Sequence, residues 1–235
     1  MRKLIGMVLA SSLTLAFITP AAFGQKNEEK RLREAGQVMQ EVLNVPDDIP
    51  RDLLDRAKCV VVLPSVVKGA FVVGASYGHG AMVCRTGEGF QGPWGAPAMY
   101  SLEGISFGFQ AGGEATDFVL LIMNTRGMDS LLRTKVKLGG DASIAAGPVG
   151  RDAQAETDAA MRAEILSYSR ARGVFAGVSL DGATLHPDED ANEALYGHAV
   201  TARRIISGPD RPAAPSAARL LDSELDRVSP HPKSA

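Results

Sequence analysis

The chain has 235 residues, of which 45% are hydrophobic and 22% charged, with a formal net charge of −2. That composition excludes a disordered chain and supplies enough apolar material for one large domain. Two cysteines are too few for a disulfide-stapled mini-protein, and 25 bases against 27 acids argue against a bulk nucleic-acid binder.

Arg2 and Lys3 precede an apolar run from Leu4 to Ile18, which Pro20 ends. Ala22-Phe23-Gly24 sets small residues at the two positions a signal peptidase reads. Residues 1–24 therefore read as a secretory signal peptide, cleaved before Gln25. The run is about 15 residues long, and a membrane span needs about 20. No cysteine follows it, so no lipoprotein anchor is encoded. The expected location is periplasmic or secreted. Losing Arg2 and Lys3 leaves 23 bases against 27 acids. An oxidising compartment permits a Cys59–Cys84 disulfide, and two buried thiols fit the same apolar runs.

Lys26 to Asn44 predicts an amphipathic helix, since Leu32, Ala35, Met39, Val42 and Leu43 recur at 3- and 4-residue spacings. Pro46 to Pro50 ends it, and Arg51 to Arg56 predicts a second, short helix. From Cys59 the texture becomes β-branched and glycine-rich. Strands are predicted at 59–63 (ended by Pro64), 70–74, 80–84, 98–102, 106–111 and 118–123, with turns at Thr86-Gly87-Glu88-Gly89 and Glu103-Gly104. Met128 to Thr134 suggests a short helix. The first part of 141–157 reads as strand, and 152–161 stays open. Ile165 to Ser169 and Val174 to Leu180 predict a hairpin, and Asp188 to Tyr196 a helix. Residues 208–235 read as a Pro- and Ala-rich, partly disordered tail carrying a helix at 217–228, so the domain is taken as 25–207.

The chemical motifs are weak. Gly74-Ala75-Ser76-Tyr77-Gly78 matches the G-x-S-x-G pattern of hydrolase nucleophile elbows. That chemistry needs a helix after the serine, and Gly78 to Val83 reads as strand. Asp188-Glu189-Asp190-Ala191-Asn192 copies the start of a calcium loop. Glu193 stands where that loop needs Gly, and Ala199 where it needs Glu. His79, between glycines, reads as a surface or turn residue. No zinc spacing, P-loop or dinucleotide fingerprint occurs, so no metal, cofactor or nucleic-acid partner is expected. Basic residues gather at Lys26/Lys30/Arg31/Arg33, Arg133/Lys135/Lys137 and Arg170/Arg172. These are either solvated charge or contacts for anionic lipid headgroups.

An ordered set of stretches resembles the SYLF domain family of lipid-binding modules. It comprises 57–64, 68–80, Trp94-Gly95-Ala96-Pro97, Gly112 to Asp117, Gly139 to Arg151, Tyr168-Ser169-Arg170, Gly173 to Gly182, Asn192 and Tyr196-Gly197. The resemblance covers about residues 30–200. It implies a non-enzymatic domain that binds anionic membrane lipids peripherally, here as an exported bacterial member. Its actin-binding side is not carried over to an exported chain. The N-terminal helical section is the implied lipid contact, which maps onto Lys26, Lys30, Arg31 and Arg33. Lys58 and Lys68 lie in matching stretches and complete the candidate set. His79 stands where the family has Lys, and Gly95 where Ser is usual.

The expected fold is α+β: a strongly curved, mainly antiparallel β-sheet or partial barrel with packed helices and an N-terminal helical section. Many glycines let such a sheet bend. The expected mechanism inserts the apolar face of helix 26–44 into an anionic phospholipid membrane while its bases hold phosphates. The alternatives are an envelope protein partner, with lipid irrelevant, and an esterase using Ser76.

Overall fold

The computed structural model describes residues 20–45, 49–70, 73–107, 112–149, 162–171, 174–178 and 180–230. Two helices lead, α1 (Pro20–Val42) and α2 (Arg51–Arg56). Four long strands follow: β1 (Cys59–Ala70), β2 (Val73–Cys84), β3 (Ala98–Phe107) and β4 (Gly112–Ile122). Next come α3 (Thr125–Leu131), β5 (Val136–Lys137), β6 (Ile144–Ala146), β7 (Ile165–Ala171), β8 (Val174–Gly177) and β9 (Thr184–Pro187). Helices α4 (Glu189–Tyr196), α5 (Ala202–Ser207) and α6 (Arg219–Val228) close the chain.

The strands form one sheet in the order β5-β9-β3-β2-β1-β4-β7-β6, with β8 also on β7. All pairings are antiparallel except β6 with β7. The sheet is mixed and curls into a half-barrel with α1 packed on it, the α+β fold that the glycine-rich strand texture predicts.

Strand boundaries differ from the sequence reading. The six predicted strands between 59 and 123 are four long ones. Pro64 does not end a strand; it sits in a bulge. Leu63 faces Phe118 and Val66 faces Thr116, so β1 carries one extra residue there. Ser65 adopts φ 49°, and its N–H donates to Asp117 Oδ1 at 2.8 Å, outside the ladder. A bulge tolerates a proline because the local ladder bond is already lost. It also shifts side-chain phase: Cys59, Val61 and Leu63 share a face with Val66. The predicted turn at Glu103-Gly104 lies inside β3. The short strands β5 and β9 went unread, because two to four residues carry no periodic signal. The open stretch 152–161 lies outside the described residues.

β1 and β4 are buried on both faces. Val61, Leu63, Phe118, Leu120 and Ile122 pack with α3, α5 and the segment through Val136 and Leu138. Val60, Val62, Val119 and Leu121 pack on the other side with α1, α2 and α6. Cys59 and Cys84 are directly opposed on β1 and β2, with a Cα–Cα distance of 3.9 Å, and form a disulfide.

Helix ends follow local chemistry. Asn124, Asp188 and Thr201 cap α3, α4 and α5 by accepting from backbone N–H groups three residues ahead. Gly197 ends α4 at φ 74°. Helix α6 is not on a tail. Leu221, Leu225 and Val228 are buried with the α1 stripe, and a Cβ on Gly36 would lie 2.9 Å from Leu221 N, so the two helices touch backbone to backbone. The Pro-rich stretch beginning at Gly208 is therefore a strap leading to a core helix.

Two stability predictions follow from this packing. A Cβ on Gly80 would lie 1.9 Å from Val62 O, so Gly80→Ala forces β1 and β2 apart. It should lower stability by about 3 kcal/mol, read by urea denaturation. On α6, burial and then the neighbouring Asp226 push the Asp222 carboxyl up to about 6, and Asp222 Oδ1 is buried without a hydrogen-bond partner. Between about pH 4 and that value the folded state holds the proton that the unfolded chain releases. Stability therefore falls as pH rises through this window. Asp222→Asn should flatten that fall and raise the melting temperature above it, as read by circular dichroism.

Candidate functional site

The predicted bases on α1 do not form a free cationic patch. Lys30 pairs with Glu34 at 3.4 Å, Arg31 with Glu28 at 2.8 Å and Arg33 with Glu29 at 3.6 Å. Lys26 is exposed. Each acid stands one helical turn from its base, which largely neutralises the face. The apolar stripe of α1 (Leu32, Ala35, Val38, Met39, Val42 and Leu43) is docked and buried. Undocking it would expose six apolar side chains, a cost on the order of 10 kcal/mol. It would also bare the sheet face beneath, which a bilayer would not cover. Four bases near an anionic surface return only about 4 kcal/mol. Insertion of this stripe into a membrane is therefore corrected: in this fold the stripe is core.

Other motif readings also resolve. Ser76 lies mid-strand, paired with Lys68 and Gly104, with no turn or helix after it, so it is not a nucleophile elbow. Asp188 caps α4 instead of opening a calcium loop. Among the described residues no group of three or more His, Cys, Asp or Glu is placed to hold a metal ion. His79 is neither a surface nor a turn residue. It is half-buried on β2, with Nδ1 2.8 Å from Ser101 Oγ and 3.2 Å from Asp188 Oδ2. Ser101 Oγ donates to the same Asp188 oxygen at 3.0 Å. Serine and carboxylate thus meet the same ring nitrogen, whereas a relay needs them on opposite nitrogens. The His79 hydrogen bond is the main cause holding Asp188 at about 2. This cluster fixes α4 to β2 and β3.

Lys58 and Lys68 sit near opposite ends of β1, ten residues and roughly 30 Å of strand apart. Lys68 is paired through its backbone with Ser76 and Glu114. Lys58 instead joins residues that the sequence reading did not single out. It lines a cleft of about 760 Å³ together with Arg51 and Arg56 of α2 and Arg85 at the end of β2. Among the described residues of the wall, Asp55 is the one carboxylate. Phe90, Met123, Val228 and Pro230 make its apolar side.

Arg85 forms the floor. It is 3% exposed, and its guanidinium lies 4.2 Å above the Trp94 ring. Its Nη2 donates to the Ser229 carbonyl at 3.0 Å and hydroxyl at 2.5 Å, and Nη1 donates to Gly92 O at 3.3 Å. Ser229 Oγ donates in turn to Asp55 Oδ1 at 2.6 Å, and Trp94 Nε1 donates to Ser229 O at 3.3 Å. One residue after α6 therefore ties the helix end to α2 and to the β2–β3 connection. Burial lowers the Arg85 pKa, against the Asp55 and Asp226 carboxylates, and an arginine stays charged under such a shift. Its buried Nε has no acceptor.

Among the described residues Arg51 and Lys58 have no salt-bridge partner, so the cleft presents cations that its own walls do not neutralise. Arg51 and Arg56 on α2 and Arg85 at the end of β2 escaped the sequence reading because no shared motif joins the two elements. The cleft has no placed nucleophile and base. Its chemistry is anion binding beside an apolar surface.

Comparison with known proteins agrees with this architecture. The family model described as "Ysc84: Las17-binding protein actin regulator" matches residues 103–227. An SH3 domain-containing protein of Schizosaccharomyces pombe is 36% identical over 206 residues, covering 82% of this chain and 46% of that protein. LAS seventeen-binding protein 3 of Saccharomyces cerevisiae is 33% identical over 195 residues, covering 81% and 42%. The human SH3 domain-containing YSC84-like protein 1 is 33% identical over 206 residues, covering 86% and 58%. The chain spans about half the length of these relatives. They are named for binding, regulation or domain content, and none for an enzymatic activity. At this identity and coverage of the chain, and with the family model matching over half of it, the chain belongs to the Ysc84 family, whose shared unit is the SYLF domain.

Proposed function

We propose that the chain is an exported, non-enzymatic module that binds anionic phospholipid surfaces peripherally. The observation that carries this reading is the cleft: among the described residues Arg51, Arg56, Lys58 and Arg85 converge with Asp55 beside Phe90, Met123, Val228 and Pro230. A lipid surface offers both matching parts, phosphate at the headgroup level and hydrocarbon beneath it. No helix among the described residues is long and apolar enough to cross a membrane, so contact through helices would be peripheral. Export to the periplasm or beyond rests on the leader-like residues 1–24.

A second reading is a protein partner of the cell envelope. It rests on the relatives' names and on Val67 and Tyr77, cross-strand neighbours that are 55% and 52% exposed. Apolar side chains paired at a sheet surface suit a protein contact as well as a lipid one.

Vesicle co-sedimentation separates the two. The protein should sediment with vesicles containing anionic lipid and not with phosphatidylcholine alone, and rising salt should release it. Arg51→Ala with Lys58→Ala should weaken binding by about 2 kcal/mol, roughly thirtyfold. Lys30→Ala with Arg33→Ala should change it far less, since those bases already face their own acids. If no vesicle binds and an envelope extract yields a partner regardless of lipid, the second reading replaces the first.

A further inference from the structure

Helix α6 stands outside the sheet's hydrogen-bond ladder. The segment 208–215 that leads to it carries Pro209, Pro212 and Pro215 and belongs to no helix or strand. Among the described residues its backbone bonds are local: Gly208 N–H donates to Arg204 O at 3.0 Å, and Ala218 N–H donates to Pro215 O at 2.9 Å. Each proline gives up the donor that would tie such a segment to a neighbour. The contacts that hold α6 in place are side-chain contacts. Leu221, Leu225 and Val228 are buried with the α1 stripe. Gln40 of α1 donates to Glu224 Oε1 at 3.0 Å, and Ser229 joins Arg85, Trp94 and Asp55. A helix held in this way can open without the sheet.

One group in that interface works against docking. Asp222 Oδ1 is buried without a hydrogen-bond partner. The groups around it supply no counter-charge. Asp226, one turn on, carries the same charge and also lies within electrostatic reach of Arg85. The Tyr196 phenol of α4 faces Asp222 and donates to Pro97 O at 2.6 Å instead. On α6 itself Arg227 pairs with Glu224 at 2.6 Å, and on α1 Arg33 pairs with Glu29. Arg219, three residues before Asp222, is exposed and makes no ion pair among the described residues. Burial, and then Asp226, raise the Asp222 carboxyl to about 6. As pH rises from about 4 to that value, the docked helix keeps a proton that a lifted helix gives up, so docking weakens. An ionised carboxylate here lacks both water and a cation, and lifting α6 restores the water. We infer that α6 is a proton-sensitive strap, which lifts from α1 as a unit about segment 208–215 while the sheet and α1 stay folded. Lifting takes Ser229 off the Arg85 guanidinium and removes Val228 and Pro230 from the cleft wall. Acid therefore closes the α6 side of the cleft and near-neutral pH loosens it, whatever the cleft binds.

Hydrogen–deuterium exchange of the full protein tests this at about pH 4.5 and about pH 7, with each peptide corrected for its intrinsic rate. Amides of α6 should exchange faster than those of β1 and β4 at both values, and about tenfold faster at the higher pH than at the lower. Low urea should accelerate β1 and β4 and leave α6 nearly unchanged, since lifting one helix exposes little surface. Asp222→Asn, which cannot ionise, should remove the rise with pH. Ser229→Ala should speed α6 exchange by a similar factor at both pH values and keep the rise, because it weakens the latch and leaves the carboxylate in place. Exchange of α6 at the rate of β1 and β4 would mean that it opens only when the whole protein unfolds, and would overturn the strap. A rise that persists in Asp222→Asn would overturn the proton sensitivity assigned to that residue. Unchanged α6 exchange in Ser229→Ala would overturn the link between the strap and Arg85.

Discussion

The structure depends on burying the first half of β1 on both faces. Cys59, Val61 and Leu63 point into one cluster and Val60 and Val62 into the other, and all are at most 1% exposed. A strand in that position needs cover on two sides. The chain supplies it from both termini on one side (α1, α2 and α6) and from α3 and α5 on the other. Each cover is specific to its face, because a one-residue slip would exchange the two sets of side chains. The bulge at Pro64 and Ser65 makes a controlled slip of that kind. It lets Val66 continue the face begun by Cys59 while the strand bends.

The cleft follows from that cover. Helix α2 is held by Leu53 and Leu54 on the same face as α1, which turns Arg51, Asp55 and Arg56 outward at the sheet's edge. Helix α6 returns across α1 and ends at Ser229, where the backbone and hydroxyl meet Arg85, Trp94 and Asp55. The buried arginine is thus compensated by a neutral residue from a segment 144 positions away. An ion pair in its place would quench the cleft, since a carboxylate bonded to Arg85 would cancel its field. The arrangement keeps the floor positive at the expense of an unpaired Nε.

The contrast between α1 and the cleft turns on magnitude. Both carry bases and apolar residues, which is why the sequence reading assigned the membrane contact to α1. On α1 Lys30, Arg31 and Arg33 each face an acid one turn away and the apolar stripe is needed by the core. In the cleft the bases come from α2, the start of β1 and the end of β2, with Asp55 of α2 among them, and the apolar residues line an open wall. Amphipathicity by itself does not distinguish a helix that reads a membrane from one that caps a sheet. The cap is favoured when the sheet beneath has its own apolar face to hide.

Composition and periodicity were sufficient for much of this protein. The α+β class, α1, α2, α4, the core of β1 and β4, the β7–β8 hairpin and the helical character of 217–228 all arise from short-range pattern, which the chain carries locally. The family resemblance was legible for the same reason, as an ordered series of local stretches. The disulfide was left open because only register could bring Cys59 opposite Cys84. Strand length, the bulge, β5 and β9, the docking of α6 and the burial of His79 and Arg85 were decided by tertiary structure. So was the cleft, whose residues span positions 51 to 230 in sequence. A local pattern states which face of an element is apolar. It does not state what will cover that face, and the covering decides which charges are left free to act.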